Sequence, residues 1–196
     1  VFLLNVWDQL FFSGIHAEVW MQPGISPRDL QQHMSSFYKQ MNPEGKVALV
    51  LGAGNINSIP VLDTLHKLYN EGQVVFLKVN PVNEYLIPCF ERVFAPMIDA
   101  GYVAITRGGT DVGSYLTTHD GIDEVHMTGS AKTHDAIVFG TGESGERNKA
   151  QNKPILQKRI TSELGGVGPT IVVPGPWTEE DLQFQSERIV TQKYHN

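Results

Sequence analysis

The stretch KVALVLGAGNINSIPVLDTLHKLYNEGQVVFLKV, residues 46–79, decides the fold. It begins and ends with short apolar runs rich in valine and leucine, which are typical of buried strands. Between them, SIPVLDTLHKLYNEG predicts a helix that ends at Gly72, since glycine commonly follows the last helical turn. A strand, a helix and a second strand in this order predict a right-handed unit with parallel strands.

The alternation continues along the chain. YVAIT and EVHM, residues 102–106 and 124–127, predict a third and a fourth strand, with a helix over DVGSYLTTH between them. Further strand candidates are ILQKRITSELGG and PTIVVPG, residues 155–166 and 169–175. We therefore expect an α/β fold, a Rossmann-like and mostly parallel sheet flanked by helices.

The helix boundaries follow from capping residues and from proline. Ser26, followed by proline, predicts the start of a helix that runs to about Gln40. In the helical pattern NEYLIPCFERVFAPMIDAG we expect a break at Pro88 or Pro96. Thr178, with Asp181 three residues later, predicts the start of the last helix. Residues 140–153 are polar and rich in glycine, so they are expected to form a surface loop.

Composition excludes several classes of protein. With 15 basic and 21 acidic residues the net charge is −6, which argues against a nucleic-acid partner. We expect no membrane partner either, because no apolar run approaches the roughly 20 residues of a spanning helix. Cys89 is the one cysteine, so there is no internal disulfide, and we expect a reducing, cytoplasmic location. The spacing of histidines and cysteine predicts no metal site.

Two glycine-rich stretches imitate a dinucleotide-binding fingerprint. LGAGNIN, residues 51–57, lies between a strand and a helix, but Asn57 stands where the third glycine is needed. GTGESG, residues 140–145, matches by letters, but the residues after it do not predict a helix start. Neither match predicts a standard fingerprint.

A better signal comes from residues that follow the predicted strands, where ligands of such sheets bind. Asn55 follows the first strand, and Lys78 ends the next one, 23 residues further along. MTGSAK places Thr128-Gly129-Ser130 at a strand-to-helix turn, and SELGG places Glu163 before Gly165 and Gly166. Over roughly residues 46–196, this order resembles the aldehyde dehydrogenase superfamily, whose signatures include such an asparagine, a V-x-K strand end, an F-T-G-S turn and an E-L-G-G motif.

The resemblance implies a chemistry and a set of site residues. A cysteine thiolate attacks an aldehyde, hydride passes to NAD or NADP, and water hydrolyses the resulting thioester. Glu163 would be the general base for that water, and Asn55 would donate its amide to the developing oxyanion. Lys78 would bind the adenosine ribose or a 2′-phosphate, and Ser130 the pyrophosphate. The implied coenzyme-binding set is Leu51, Gly52, Gly54, Lys78, Gly109, Gly113, Ser130, Thr133, Leu164 and Gly165.

Each of these residues also has a structural interpretation. Glu163 could be a solvated acid at a strand end, and Lys78 a solvated strand end. Asn55 could cap a helix or form a turn, and Asn57 is an alternative for its place in the alignment. Ser130 could be a simple N-cap, which is compatible with a role in phosphate binding.

The chain departs from the family pattern at four places, one of which is the spacing from Ser130 to Glu163, longer than usual because of the polar stretch over residues 140–153. Ala53-Gly54 replaces the usual Pro-Trp before the asparagine. Pro81 stands where an acid commonly contacts the ribose, so we expect NADP to be tolerated. Cys89 precedes the E-L-G-G motif and is expected to be a buried core thiol, so the nucleophile would lie beyond Asn196.

The expected function is NAD(P)-dependent oxidation of an aldehyde to a carboxylic acid. We interpret the chain as a fragment that is inactive alone, with an unplaced segment over 1–45, a coenzyme-binding region over 46–162 and the start of a catalytic region over 163–196. The resemblance implies a homo-oligomer, dimer or tetramer. Two alternatives stay open: a CoA-acylating or acyl-reducing relative, and a non-catalytic nucleotide-binding or structural member.

Overall fold

The computed structural model describes residues 6–11, 13–14, 20–165 and 170–195. By its contacts the chain divides into two units, Val1–Gln40 and Met41–Asn196. The predicted boundaries between regions at 45/46 and 162/163 stay predictions. Among the described residues, no helix is both long enough and apolar enough to cross a membrane.

The first unit contains two short helices, α1 (Val6–Phe11) and α2 (Pro27–His33), and a 3₁₀ turn over Ser36–Lys39. Ser26 caps α2 as predicted, because its Oγ accepts from the Asp29 N–H and the Asp29 carboxylate accepts from the Ser26 N–H at 2.7 Å. The prediction of a helix through Gln40 is wrong. The chain turns extended at Met34 (ψ 139°) and left-handed at Ser35 (φ 52°), which ends the helix.

The second unit is built on one sheet of five strands, and each strand is parallel to its neighbours, in the order β3-β2-β1-β4-β5. The predicted fold class is therefore confirmed. The strands are β1 (Val47–Leu51), β2 (Val74–Lys78), β3 (Val103–Thr106), β4 (Glu124–Gly129) and β5 (Arg159–Leu164).

Helices connect the strands. Gly72 has φ 63°, as predicted for a residue that follows a helix, and the chain breaks at Phe94, just before Pro96. The helices are α3 (Ile59–Leu65), which continues as a π turn (His66–Asn70), then a 3₁₀ turn (Pro81–Leu86), α4 (Ile87–Val93), α5 (Ala95–Asp99), α6 (Thr110–Thr118), α7 (Ala131–Phe139), α8 (Gly142–Ala150) and α9 (Glu179–His195).

Alternate strand residues build a core on each face of the sheet. Val50 and Leu77 pack with Phe90 of α4 on one face, which α3 also covers through Val61. Leu49 and Val125 pack with residues of α6 on the other face. Full burial of such a side chain stabilises the fold by roughly 1.5–3 kcal/mol. These two clusters fix the register, so the carboxyl ends of the strands meet along one edge.

The expected surface loop at 140–153 is wrong, because α8 occupies most of it. Glu143 lies in its first turn and Arg147 and Lys149 in its last, which complements the helix dipole. Lys149 also pairs with Asp135 of α7 at 2.6 Å. The helix is thus held by charge and by its neighbour rather than by an apolar stripe.

Two further expectations are wrong. The described part of PTIVVPG, residues 170–175, is not a strand. Cys89 is exposed rather than a buried core thiol. It lies between the buried side chains of Ile87 and Phe90, but on the outward face of α4.

Candidate functional site

A cleft of about 710 Å³ opens at the carboxyl edge of the sheet, between β1, β2 and β4 and the helices α6 and α7. It lies on the α6 side, because Leu51 and Met127 lie two residues after Leu49 and Val125 and share the face that these residues turn to α6. Eight of the predicted coenzyme-binding residues line this one cleft: Leu51, Gly52, Gly54, Lys78, Gly109, Gly113, Ser130 and Thr133.

Lys78 places a nearly buried cation on the wall of the cleft. The residue is 8% exposed, and burial lowers the pKa of its ammonium, an effect that Glu84 and Asp111 oppose by their charge. Within the described part of the chain, the structure gives its Nζ no hydrogen bond or ion pair. A buried cation without such a partner is costly, so the site is suited to an anionic or strongly polar ligand.

Two glycines, Gly52 and Gly54, line the cleft beside Lys78. A Cβ on Gly52 would lie 3.1 Å from Pro60, and a Cβ on Gly54 would lie 3.0 Å from the side chain of Asn80. A larger residue at either position would therefore crowd Pro60 or Asn80, and glycine leaves the backbone accessible to a ligand.

Ser130 is the N-cap of α7. Its Oγ accepts from the N–H of Thr133 at 3.2 Å and lies 3.0 Å from the Thr133 hydroxyl. Both residues line the cleft and are exposed, so the N-cap and phosphate-binding interpretations remain compatible.

The E-L-G-G motif lies beside the cleft rather than in its wall. Glu163 pairs with Thr128 in the parallel register of β4 and β5, and the next residue pairs with Gly129. The N–H of Gly165 donates to the Gly129 carbonyl at 3.3 Å. Glu163, Leu164 and Gly165 are all exposed, and Gly166 lies outside the described residues.

Asn55 lies on the turn after β1 and is exposed, as is Asn57. Neither is among the residues that line the cleft. The structure therefore brings eight of the ten predicted coenzyme-binding residues together, while Leu164, Gly165 and the two predicted catalytic residues lie outside the lining, near the carboxyl ends of β1 and β5.

Glu84 has a structural contact. Its Oε1 accepts from the N–H of Gly108 at 2.9 Å and so holds the loop after β3. Gly108 has φ 139°, and a Cβ there would lie 2.4 Å from Val112, so this loop requires glycine.

Sequence reasoning missed two groups of residues around the site. Gly140 and Thr141 line the cleft, because α8 begins next to them. The hydroxyl of Thr128 donates to Asp63 Oδ2 at 2.9 Å, and His126 Nε2 lies 3.5 Å from Asp63 Oδ1. The period-two polar pattern Glu124, His126, Thr128 was the signal that could have revealed this polar face.

Comparison with known proteins places the chain in a family. Residues 71–196 match the model of the aldehyde dehydrogenase family, so the chain belongs to that family. It is 34% identical over 142 residues to the N-succinylglutamate 5-semialdehyde dehydrogenase of Novosphingobium aromaticivorans. This match covers 70% of the present chain and 27% of that protein. It is 29% identical over 137 residues to an aldehyde dehydrogenase of a Fusarium species, covering 67% and 25%.

The chain thus spans about a quarter of the length of these relatives. Among solved structures it resembles the substrate-bound state of Staphylococcus aureus AldH, with 20% identity and a TM-score of 0.46. That match covers 62% of this chain and 24% of the other.

Proposed function

We propose that this protein contributes the coenzyme-binding part of an NAD(P)-dependent aldehyde dehydrogenase, which oxidises an aldehyde to a carboxylic acid through a cysteine thioester. The observation that carries the proposal is the cleft at the carboxyl edge of the sheet, where Lys78 offers a cation that has no ion-pair partner among the described residues. Membership of the family supports the reaction type.

The cleft fits an adenine dinucleotide by its chemistry. Lys78 would bind the ribose hydroxyls or a 2′-phosphate, and the N-terminus of α7 at Ser130 would receive the pyrophosphate. Gly109 and Gly113 would lie beneath the adenine, and Gly52 and Gly54 would let the coenzyme approach the backbone beside Lys78. When bound, the nicotinamide ring would accept the hydride.

The catalytic roles fall to residues at the strand ends. Glu163, exposed beside Thr128, would take a proton from the water that attacks the thioester. Asn55 would donate its side-chain amide to the oxyanion that develops on the aldehyde oxygen. Cys89 lies on the exposed surface of α4 and is not a lining residue of the cleft, so we assign the nucleophilic thiol to another part of the enzyme.

A CoA-acylating or acyl-reducing enzyme is the second candidate. The presence of Ala53-Gly54 in place of the usual Pro-Trp favours this candidate. Glu163 favours hydrolysis instead, because an enzyme that transfers the acyl group to CoA must prevent water from attacking the thioester. A non-catalytic nucleotide-binding member would retain the cleft and lack the thiol.

The test is made in the complete enzyme with Glu163→Gln, and Glu143→Gln, an exposed acid in α8, is the matched control. We expect a burst of reduced coenzyme followed by slow turnover, because thioester hydrolysis needs the base and hydride transfer does not. An equal loss of burst and steady rate would contradict the assignment of Glu163. Release of an acyl-CoA in place of the acid would favour the second candidate.

A further inference from the structure

A chain of polar side chains leads from the interior of the protein to the carboxyl edge of the sheet. The ammonium of Lys67 donates to Thr161 Oγ1 at 3.2 Å, and that hydroxyl lies 2.8 Å from His126 Nδ1. On the other side of the ring, His126 Nε2 lies 3.5 Å from Asp63 Oδ1. Oδ2 of the same carboxylate accepts from the Thr128 hydroxyl at 2.9 Å. All of these side chains lie on the α3 face of the sheet.

The direction of each hydrogen bond follows from the groups involved. An ammonium can only donate, so the Thr161 oxygen accepts from Lys67, whereas the direction of the bond between Thr161 and His126 Nδ1 is set by the tautomer of the ring. The carboxylate of Asp63 faces Nε2 and favours the tautomer that carries its proton there, and Nδ1 then accepts from the Thr161 hydroxyl. An ionised carboxylate only accepts, so the proton of the Thr128 hydroxyl is committed to Asp63. What Thr128 can still offer a ligand is a lone pair.

Thr128 stands where a ligand would cross the edge of the sheet. The cleft lies on the α6 face and reaches the end of β4, so Thr128 is one of its lining residues although its hydroxyl points to the α3 side. Glu163 points to the opposite face, because it lies two residues after Thr161 on β5 and shares its face, and the Thr161 hydroxyl contacts Lys67 and His126. A coenzyme that fills the cleft and reaches the candidate base must therefore pass over Thr128 and Gly129, which pair in register with Glu163 and Leu164.

We propose that Asp63, oriented by His126, is a positioning residue that sets the Thr128 hydroxyl as a hydrogen-bond acceptor for the carboxamide N–H of the nicotinamide. The proposal rests on the proposed function, since it concerns the same coenzyme. Asp63 is 19% and His126 14% exposed, so neither side chain is free to turn into solvent. The pair selects a ligand with a donor at this point and discriminates against one that has only a carbonyl there.

The experiment measures dissociation constants of the chain for NAD, for its 3-acetylpyridine analogue, which lacks the carboxamide N–H, and for ADP-ribose, which lacks the nicotinamide. In Thr128→Val we expect the preference for NAD over the analogue to fall about 5-fold, the loss of one hydrogen bond, with ADP-ribose unchanged. Asp63→Asn should have the same effect, because the new amide donates to Thr128 and turns its proton outward. The double variant should lose no more than either single variant.

Asp120→Asn, which removes an exposed carboxylate, is the matched control and should keep the preference for NAD. The ADP-ribose affinity reports whether each variant is folded. An unchanged preference in Thr128→Val, or a loss there without a loss in Asp63→Asn, would overturn the inference and leave the proposed function standing. If the wild-type chain binds none of the three ligands, the proposed function fails and this inference fails with it.

Discussion

Lys67 and Glu124 form an ion pair in the interior of the protein, with the ammonium 2.5 Å from the carboxylate and side chains that are 1% and 2% exposed. The pair ties the π turn after α3 to β4. Glu124 also accepts from Gln73 at 3.1 Å and from Arg159 at 2.7 Å, and Lys67 also donates to Glu71 at 2.8 Å. Every charged group of the cluster has a partner, although the buried Oε1 of Gln73 has no hydrogen-bond partner among the described residues, so the loss of one charged member should destabilise the fold.

Replacement of Lys67 by methionine should destabilise the fold by about 3 kcal/mol, because it leaves a buried carboxylate short of its closest cation. Arg159→Met is the control: that side chain is 60% exposed, so its loss should cost about 1 kcal/mol or less. Urea unfolding of both variants measures the difference. Equal losses would show that Lys67 does not hold the cluster together.

The same cluster predicts a loss of stability in acid. Burial alone would raise the pKa of Glu124, but hydrogen bonds from Lys67 and Gln73 outweigh it and hold the pKa below the ordinary value of 4.5. A carboxyl whose pKa is lower in the folded state stabilises the fold above its unfolded pKa and loses that effect as the pH falls through the folded value. Unfolding free energy should therefore be steady above about pH 5 and fall in more acidic solution. Glu124→Gln should flatten the fall, while Glu143→Gln should not.

The sequence predicted β1 and β2 because they are short and mostly aliphatic runs, a pattern that can be recognised without knowledge of the neighbouring elements. The residues of the cleft could also be predicted from the sequence, because the carboxyl ends of parallel strands lie at the same edge of the sheet. Capping signals were equally local, as Ser26, Ser130 and Thr178 show. The Thr178 hydroxyl accepts from the Asp181 N–H at 3.1 Å, and the Asp181 carboxylate accepts from the Thr178 N–H at 3.0 Å.

Features that depend on tertiary neighbours escaped prediction. Helix α8 has no apolar stripe, and its tight contact with Gly140 appears only in the fold, where a Cβ on Gly145 would meet the Gly140 carbonyl. Cys89 lies in an apolar run, so its burial was expected. It is exposed because α4 packs against β2 through Ile87 and Phe90, which leaves Cys89 on the outward face of the helix. The hydrogen bond between Thr128 and Asp63 joins residues that are 65 positions apart in the sequence, so no local pattern predicts it.

Lys78 should lower the stability of the free protein and raise its affinity for the coenzyme. Because burial lowers the pKa of its ammonium, the folded protein bears a cost for the charged form until the pH approaches 10.5. We expect Lys78→Met to raise the melting temperature of the free protein and to weaken binding of NADP about 10-fold or more. Calorimetric titration and a thermal melt check both effects. Lys193→Met, which removes an exposed lysine of α9, should change neither.

Coenzyme choice should not depend on Glu84. Its carboxylate is engaged by the N–H of Gly108, and Pro81, which lines the cleft, offers neither a charge nor an N–H. NADP should therefore bind at least as well as NAD, since Lys78 can receive a 2′-phosphate. Dissociation constants of both coenzymes for the wild type and for Glu84→Gln test this. A strong preference for NAD that disappears in Glu84→Gln would move the ribose contact to Glu84.

Hydrogen–deuterium exchange with and without NADP tests the central claim most directly, because it shows where on the chain the coenzyme acts. We predict slower exchange of the amides at Gly52–Gly54, Gly109–Gly113 and Ser130–Thr133, with no change in α9, and loss of the effect in Lys78→Met. Unchanged exchange at all three segments, or protection confined to residues 170–195, would contradict the assignment of this cleft to the coenzyme.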